Sequence, residues 1–212
     1  MLIDLHAHTS QESWDSTLTP DQLIESAKAA GLDGICLTEH DQFWSHDEVA
    51  ELGRRHDFVV LPGCEITTEQ GHVIVFGVES YVYGMHRAPF LRDYVDKAGG
   101  VLLVVHPYRR AYIDENEPWA LPFDEQVRRA SSNAALELAE GVEVINGRGT
   151  EKQNQFSAAL CDLVGLPAFG GSDTHDLDDM GVCATEFERP IGTLDDFVAE
   201  VKAGRFRAVK RE

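Results

Sequence analysis

Short apolar runs rich in β-branched residues alternate along this chain with longer segments whose apolar positions recur every three or four residues. The short runs are typical of buried strands, and the longer segments are typical of amphipathic helices. After the first run, residues 2–5, a polar loop leads to a helix start with Thr19 as N-cap and Pro20 as the first helical residue. Gly31 ends this helix, and a second apolar run begins at Gly34. Repetition of this unit predicts an α/β fold.

Each of six predicted strands ends in a polar side chain that can bind a metal ion or a substrate. In chain order the strand ends carry His6 with His8, then Glu39-His40-Asp41, Glu65, His106, Asn146 and Ser172-Asp173-Thr174-His175. An open sheet would concentrate its site at one switch point, whereas a barrel places all strand ends around one mouth. We therefore expect a single-domain barrel over residues 1–212, which can have fewer than eight strand–helix units. We expect the irregular region 108–133 to cover the mouth of this barrel.

Composition narrows the classes of function. The formal net charge of -19 over 212 residues disfavours non-specific attraction to nucleic-acid polymers and to anionic membranes. The chain contains no apolar run of transmembrane length and enters its first strand without a signal-peptide core, so a cytoplasmic location is expected. Its four cysteines show no C-x-x-C spacing, which favours small buried apolar residues over a disulfide framework or a zinc knuckle.

The strand-end histidines indicate metal chemistry. His6 and His8 are two positions apart, so in a strand their imidazoles point to the same side. Imidazole combined with carboxylate suits Zn, Mn or Fe, and the absence of thiolate from these positions argues against a closed structural zinc site. Any single histidine is more often a hydrogen-bonded core or surface residue. Six of the nine histidines belong to this pattern, which favours one shared site.

Five ordered motifs resemble those of the PHP (polymerase and histidinol phosphatase) family of metal-dependent phosphoesterases. They are His6-Ala7-His8, Thr38-Glu39-His40-Asp41, Gly63-Cys64-Glu65-Ile66-Thr67 with Gly71-His72, Val105-His106-Pro107, and Gly171-Ser172-Asp173-Thr174-His175. Together they span almost the whole chain, residues 1 to about 187, and five motifs in order are more specific than any one of them. The resemblance implies a distorted seven-stranded (β/α) barrel that holds two or three divalent metal ions.

The same resemblance implies how the metal ligands are divided. One ion would take His6, His8, Glu65 and Asp173, a second would share Glu65 and take His72 and His106, and a third would take Asp15, His40 and His175. Asp15 lies further from His8 than the family pattern has it, and Glu12 is the alternative ligand. In this arrangement Glu65 bridges two ions that together hold a hydroxide nucleophile.

The predicted function is hydrolysis of a small organic phosphate monoester, either a nucleotide or another phosphorylated metabolite. Glu65 and Asp173 would take part in catalysis as ligands, and Asp41 is a candidate general acid that could equally serve only to orient a neighbour. Candidates for binding the substrate phosphate are Arg109, which follows His106-Pro107, and the pair Asn146 and Arg148. Either Arg109 or Arg110 could contact the phosphate, and Arg109 is favoured because it is closer to the strand end; a solvated arginine is the alternative for Arg148.

Two other functions remain open at this stage. The first is an amidohydrolase-like metal-dependent hydrolase, although such enzymes often have a lysine among their ligands and no lysine lies at a predicted strand end. The second is a PHP module that binds metals or partners without catalysis. The complete ligand set argues against it.

Overall fold

The computed structural model describes residues 1–211, which form strands and helices in the alternation that the sequence predicts. The strands are β1 (Leu2–Asp4), β2 (Gly34–Leu37), β3 (Val59–Thr68), β4 (Gly71–Phe76), β5 (Val101–Val104), β6 (Gly141–Asn146), β7 (Ala168–Gly171), β8 (Cys183–Phe187) and β9 (Phe206–Lys210). The helices are α1 (Pro20–Ala29), α2 (His46–His56), α3 (Ala88–Ala98), α4 (Tyr108–Ala111), α5 (Phe123–Ala130), α6 (Ala134–Glu137), α7 (Glu151–Val164) and α8 (Leu194–Lys202).

The strands form one sheet in the order β7-β6-β5-β4-β3-β2-β1-β8-β9. Strands β1 to β3 are parallel, as are β5 to β7, and β4 runs antiparallel between β3 and β5. At the carboxyl ends of β1 and β7, Ala7 pairs with Thr174, and the His8 amide donates to the Thr174 carbonyl over 3.0 Å. The sheet is therefore a nearly closed seven-stranded barrel with the β8–β9 hairpin added beside β1. This confirms the predicted distorted barrel.

Apolar side chains fill the barrel below the mouth. Leu61, Ile74, Phe76 and Leu103 belong to one buried cluster that also includes Phe197 of α8. The rings of Phe76 and Phe197 lie 4.5 Å apart between centroids, so α8 covers the end of the barrel opposite the strand-end histidines. Full burial of such a side chain stabilises the fold by roughly 1.5–3 kcal/mol. Within the described residues, the polar end of the barrel is thus the only end at which a reaction site can form.

Capping residues fix where the outer helices begin. Thr19 caps α1 in a capping box with Gln22, and Thr150 caps α7 in the same way with Gln153. Each box satisfies backbone N–H groups that would otherwise lack partners at a helix start. The predicted start of α1 is confirmed.

The region 108–133 is more regular than the sequence suggested. It contains α4 and α5, joined by residues 112–122. The prediction of an irregular loop was wrong because Pro118 and Pro122 interrupt only the connection, and Pro122 directly precedes α5. Every helix within residues 1–211 is too short or too polar to cross a lipid bilayer.

Candidate metal centre

Glu65 of β3 is fully buried and lies at the middle of the predicted ligand set. Its Oε1 is 2.7 Å from His72 Nδ1 and 2.8 Å from His106 Nε2, and its Oε2 is 3.0 Å from His40 Nδ1, 3.3 Å from His6 Nε2 and 3.4 Å from His8 Nε2. The two carboxylate oxygens therefore face two different sets of imidazoles. A carboxylate in this position can bridge two metal ions.

Asp173 follows β7 and completes the group around His6 and His8. Its Oδ1 is 3.5 Å from Nε2 of both histidines. Both Asp173 Oδ1 and His8 Nε2 are buried, and neither has a hydrogen-bond partner in the described part of the chain. Buried polar atoms without partners are costly, so their convergence fits a site for a cation.

The orientation of His6 supports the same interpretation. Its Nδ1 lies 3.0 Å from Glu143 Oε1, and a carboxylate partner assigns the ring proton of a neutral imidazole to that nitrogen. The lone pair at Nε2 then faces the oxygens of Glu65 and Asp173. A lone pair turned toward two carboxylates needs a positive charge between them, which a divalent ion supplies when bound and a proton on Nε2 supplies otherwise.

Asp15 connects two further histidines on the side of the mouth nearer to solvent. Its Oδ2 is 3.1 Å from His175 Nε2 and 3.4 Å from His40 Nε2. His175 Nδ1 lies 2.7 Å from the Asp173 carbonyl and donates to it, so the other ring nitrogen is available as a ligand. Glu12, the alternative to Asp15, is exposed. This geometry favours Asp15 as the ligand.

The pKa shifts of the ligands in the metal-free chain show which positive charge a metal ion would replace. Burial alone would lower the pKa of His6, but the carboxylates of Asp173, Glu143 and Glu65 raise it well above its usual range. Burial likewise opposes the charge on Glu65, yet His6, His106 and His40 hold the pKa of that carboxyl well below its usual range. Burial lowers the pKa of His8 to about 4. One protonated imidazole therefore supplies positive charge where the ligand atoms converge.

Glu143 is a part of the centre that sequence reasoning missed. It is fully buried on β6 and accepts hydrogen bonds from His6 Nδ1, from the His106 backbone N–H over 2.8 Å and from Asn146 Nδ2 over 3.0 Å. It orients two predicted ligands at once. A carboxylate in the middle of the apolar run Gly141-Val142-Glu143-Val144-Ile145 was the signal that could have identified it.

Glu39 has a different position from the other strand-end residues. Its carboxylate accepts hydrogen bonds from the Thr9 hydroxyl, the Ser13 hydroxyl and, over 2.9 Å, the Trp44 indole N–H. Burial of this carboxylate is compensated by these donors. Glu39 therefore anchors the polar loop that carries Asp15.

Backbone strain is concentrated at the centre. Among residues 1–211, four residues other than glycine have positive φ, and three of them are Asp41, His106 and Asp173. Such conformations cost of order 1–3 kcal/mol each, and the surrounding structure must maintain them. At Gly171 a Cβ would lie 2.5 Å from that of His6, so only glycine allows β7 to approach β1 this closely.

The predicted substrate-binding residues occupy different surroundings. Arg109 donates to Asp173 Oδ2. Asn146 is buried and donates to Asp173 Oδ2 over 3.2 Å as well as to Glu143, so its amide supports the carboxylates. Arg148 Nε lies 3.9 Å from Asp179 Oδ2, which accepts a hydrogen bond from the His175 backbone N–H over 3.2 Å. Direct contact of these three residues with a substrate remains a prediction.

Asp41 Oδ1 accepts a hydrogen bond from the Thr67 backbone N–H over 2.9 Å. This bond holds the turn after β2 against β3. The structure thus gives Asp41 an orienting role, and its action as a general acid remains a prediction.

Comparison with known proteins identifies the family. The sequence model of the PHP domain matches residues 4–140, more than half of the chain, and a model described as PHP-associated matches residues 151–206. The chain belongs to the PHP domain family, whose fold is that of metal-dependent phosphoesterases.

Relatives in sequence cover only parts of the chain. An uncharacterized protein of Methanocaldococcus jannaschii is 27% identical over 118 residues, which is 51% of this chain and 68% of the archaeal protein. An error-prone DNA polymerase of Nocardia farcinica is 33% identical over 64 residues, which is 30% of this chain and 6% of the polymerase. The match thus spans only a small part of the length of the polymerase.

Solved structures with the same fold cover nearly all of the chain. A two-domain protein of Bacteroides vulgatus that contains a predicted PHP-like metal-dependent phosphoesterase aligns with a TM-score of 0.67 at 19% identity, over 100% of this chain and 65% of the other. An amidohydrolase of Chromobacterium violaceum, solved with sulfate and without metal, aligns with a TM-score of 0.59 at 19% identity, over 98% of this chain and 97% of the other. These similarities establish the fold.

Proposed function

We propose that this chain is a metal-dependent phosphoesterase that hydrolyses a small organic phosphate monoester. The observation that carries the proposal is the buried carboxylate of Glu65, which faces five imidazoles, beside the unpartnered atoms Asp173 Oδ1 and His8 Nε2. Membership of the PHP family supports the same reaction class.

Three groups of residues would hold the ions. One consists of His6, His8, Glu65 and Asp173, the second of Glu65, His72 and His106, and the third of Asp15, His40 and His175. Nitrogen and oxygen donors of this kind suit Zn, Mn or Fe. Several ligand atoms lie close enough together for other groupings, such as His8 with His40 and His175, so two or three ions are compatible with the donor set.

When bound, divalent ions lower the pKa of water and offset negative charge on a phosphate. The chain itself contributes positioning. Glu65 belongs to both the first and the second group and fixes them relative to each other, and Glu143 orients His6. Arg109 uses one nitrogen to bind Asp173, which leaves its other N–H groups for a phosphate oxygen. A small molecule is the expected partner, because a net charge of -19 repels a nucleic-acid polymer.

A panel of phosphorylated metabolites assayed with Mn, Zn and Fe tests the proposal. We expect phosphate release from at least one monoester, loss of that activity after chelation and its return with added metal. A matched panel of amides and lactams distinguishes an amidohydrolase-like enzyme. Native protein without bound transition metal, whose melting temperature does not rise when metal is added, would contradict the proposal and favour neither enzyme.

A further inference from the structure

A cavity of about 430 Å³ adjoins the predicted ligands His72 and His106. Its walls come from the start of β4, from β5 and from the helices α4, α5, α6 and α7. Pockets for small molecules measure roughly 300–1,000 Å³, so a compact organic group fits here. Val104, Leu136 and Leu160 give the cavity apolar walls beside the metal centre.

The charge of the cavity is opposite to that of the protein. Arg109, Arg110 and Arg129 line it, and no aspartate or glutamate among residues 1–211 does so. The chain as a whole contains 37 acidic residues and only 18 lysines and arginines. A cationic wall in such an acidic chain produces a local site for anions.

Two neutral amide side chains of the cavity, those of Gln126 and Asn133, are already engaged. Gln126 Nε2 donates to the carbonyls of Ile113 and Leu121, and its Oε1 accepts from the Ile113 N–H. Asn133 Nδ2 donates to the Gln70 carbonyl over 2.7 Å. These amides hold the wall together, so they do not define what the cavity binds.

The arginines keep unused hydrogen-bonding capacity. Arg110 Nη1 donates to the Glu69 carbonyl over 2.9 Å, and no carboxylate in the described part of the chain forms an ion pair with Arg110. Arg129 uses its Nε for Glu125 and retains its terminal nitrogens. A guanidinium with spare N–H groups binds a carboxylate or a phosphate through paired hydrogen bonds.

We propose that the cavity holds the organic part of the substrate, and that Arg110 and Arg129 bind a second anionic group carried by that part. The inference rests on the proposed phosphoesterase function, because the scissile phosphate must reach the metal ligands beside the cavity. The substrate class is then a phosphate monoester whose short, largely apolar body ends in a carboxylate or a second phosphate.

A matched series of substrates tests this class. The substrates are alkyl monophosphates with chains of about three to six carbons, and each chain length is assayed with a hydroxyl, a carboxylate or a second phosphate at the far end. For the best chain length we expect kcat/KM to be about 10 to 100 times higher with an anionic end than with the hydroxyl. The carboxylate and phosphate arms show which anion is preferred. Equal values for all three ends would overturn the inference and leave the phosphoesterase function intact.

Arginine variants test which residues produce the preference for an anionic end. In Arg110→Met we expect the ratio between anionic and hydroxyl ends to fall about tenfold or more, with a smaller decrease in Arg129→Met. Arg128→Met is the matched control, since Arg128 pairs with the same Glu125 but does not line the cavity. A ratio that is unchanged in both Arg110→Met and Arg129→Met would show that the anion binds elsewhere.

Binding measurements separate the inference from the proposed function. Non-hydrolysable phosphonates with the same three ends are titrated calorimetrically into the metal-loaded chain and into Arg110→Met. Preferential binding of the anionic ends that is lost in Arg110→Met supports the inference even if no ester is hydrolysed. Binding that does not depend on the far end overturns it.

Discussion

Two parts of the metal centre differ in how deeply they are buried. The inner group consists of Glu65 and Asp173 with His6, His8 and His106, whose side chains are 0–2% exposed, and His72, at 26% exposed, lies at its edge. The outer group consists of Asp15, His40 and His175, and its first two side chains are 28% and 19% exposed. Strand ends hold the inner group, whereas Asp15 depends on a loop anchored by Glu39. We therefore expect an ion bound by the inner group to be held more tightly than an ion bound by the outer group.

Removal of the inner bridge should have the largest effect. In Glu65→Gln we expect kcat/KM to fall by about a thousandfold or more, roughly 4 kcal/mol, because an amide cannot supply two anionic oxygens to two ions. Metal analysis should show fewer bound ions, while circular dichroism shows a folded chain. Glu69→Gln, an exposed residue at the turn of the same hairpin, should be active. Retained turnover in Glu65→Gln would exclude the residue from the centre.

Arg109 tests whether the inner group also recognises phosphate. Its guanidinium contacts Asp173, and it lines the adjoining cavity. In Arg109→Ala we expect kcat/KM to fall about ten- to a thousandfold, or about 1.4 to 4 kcal/mol, with unchanged metal content. Arg109→Lys should recover part of the loss, because an ammonium retains the charge without the paired hydrogen bonds. Parent-like hydrolysis by the alanine variant would shift attention to Arg148.

The inner group was the part of the site that the sequence revealed best. Its members follow apolar runs directly, and parallel strands bring their carboxyl ends to one mouth, so order along the chain predicts proximity. The hairpin that places His72 next to Glu65 was also predictable, since Gly71 to Gly77 follows a short turn. These predictions rest on strand geometry, which is local and regular.

Other features depend on contacts between residues far apart in the sequence, and a local pattern does not specify which residue the partner is. Glu143 reaches His6 across the barrel, 137 positions away in sequence, and Arg109 reaches Asp173 across 64. The helices α4 and α5 within 108–133 were not predicted, because Pro118 and Pro122 made the region look irregular and the apolar faces of these helices are short. Asn146 was predicted from its strand end, but only the fold shows that its amide supports carboxylates.

Glu143 tests whether the buried ligands of the inner group need a hydrogen-bonded carboxylate behind them to bind metal. In Glu143→Gln, His6 Nδ1 loses its anionic acceptor, and we expect metal affinity to decrease about 10- to 100-fold. Competition with a fluorescent chelator measures this affinity independently of activity. Glu186→Gln, which changes a surface carboxylate paired with Arg207, is the matched control. Equal affinities for Glu143→Gln and the parent would make Glu143 a packing residue only.

Asp15 tests the outer group by itself. In Asp15→Asn we expect the chain to lose one weakly held ion and to retain the inner ions, with activity reduced about tenfold. Glu12→Gln should leave both the ion count and the activity unchanged, because Glu12 is exposed. Ion counts after graded dialysis measure the difference. Loss of an ion in Glu12→Gln but not in Asp15→Asn would reverse the assignment of the ligand.

The smallest expected effect is the pH dependence of stability in the metal-free chain, and it arises from the inner group. The pKa of His6 is raised above its ordinary value of 6.5, so its stabilising contribution is complete below pH 6.5 and is lost as the pH rises through the raised pKa. The lowered pKa of Glu65 acts in the opposite range, since its contribution is present above pH 4.5 and is lost at lower pH.

Metal binding should change the alkaline side of this profile. With chelator present, we expect the melting temperature to fall as the pH rises above 6.5 and through the raised pKa of His6, which then loses its proton. With metal bound it should not fall, because the ligands must be deprotonated to bind the ions. Calorimetry on both forms measures the difference. His6→Asn should reduce the alkaline decrease to the part that His40 contributes, because, against the effect of burial, the pKa of His40 is also raised by Glu65 and Asp15, whereas His86→Asn, outside the centre, should preserve the full decrease. A metal-free melting temperature that rises over this range would show that His6 is neutral and that the inner group is compensated in another way.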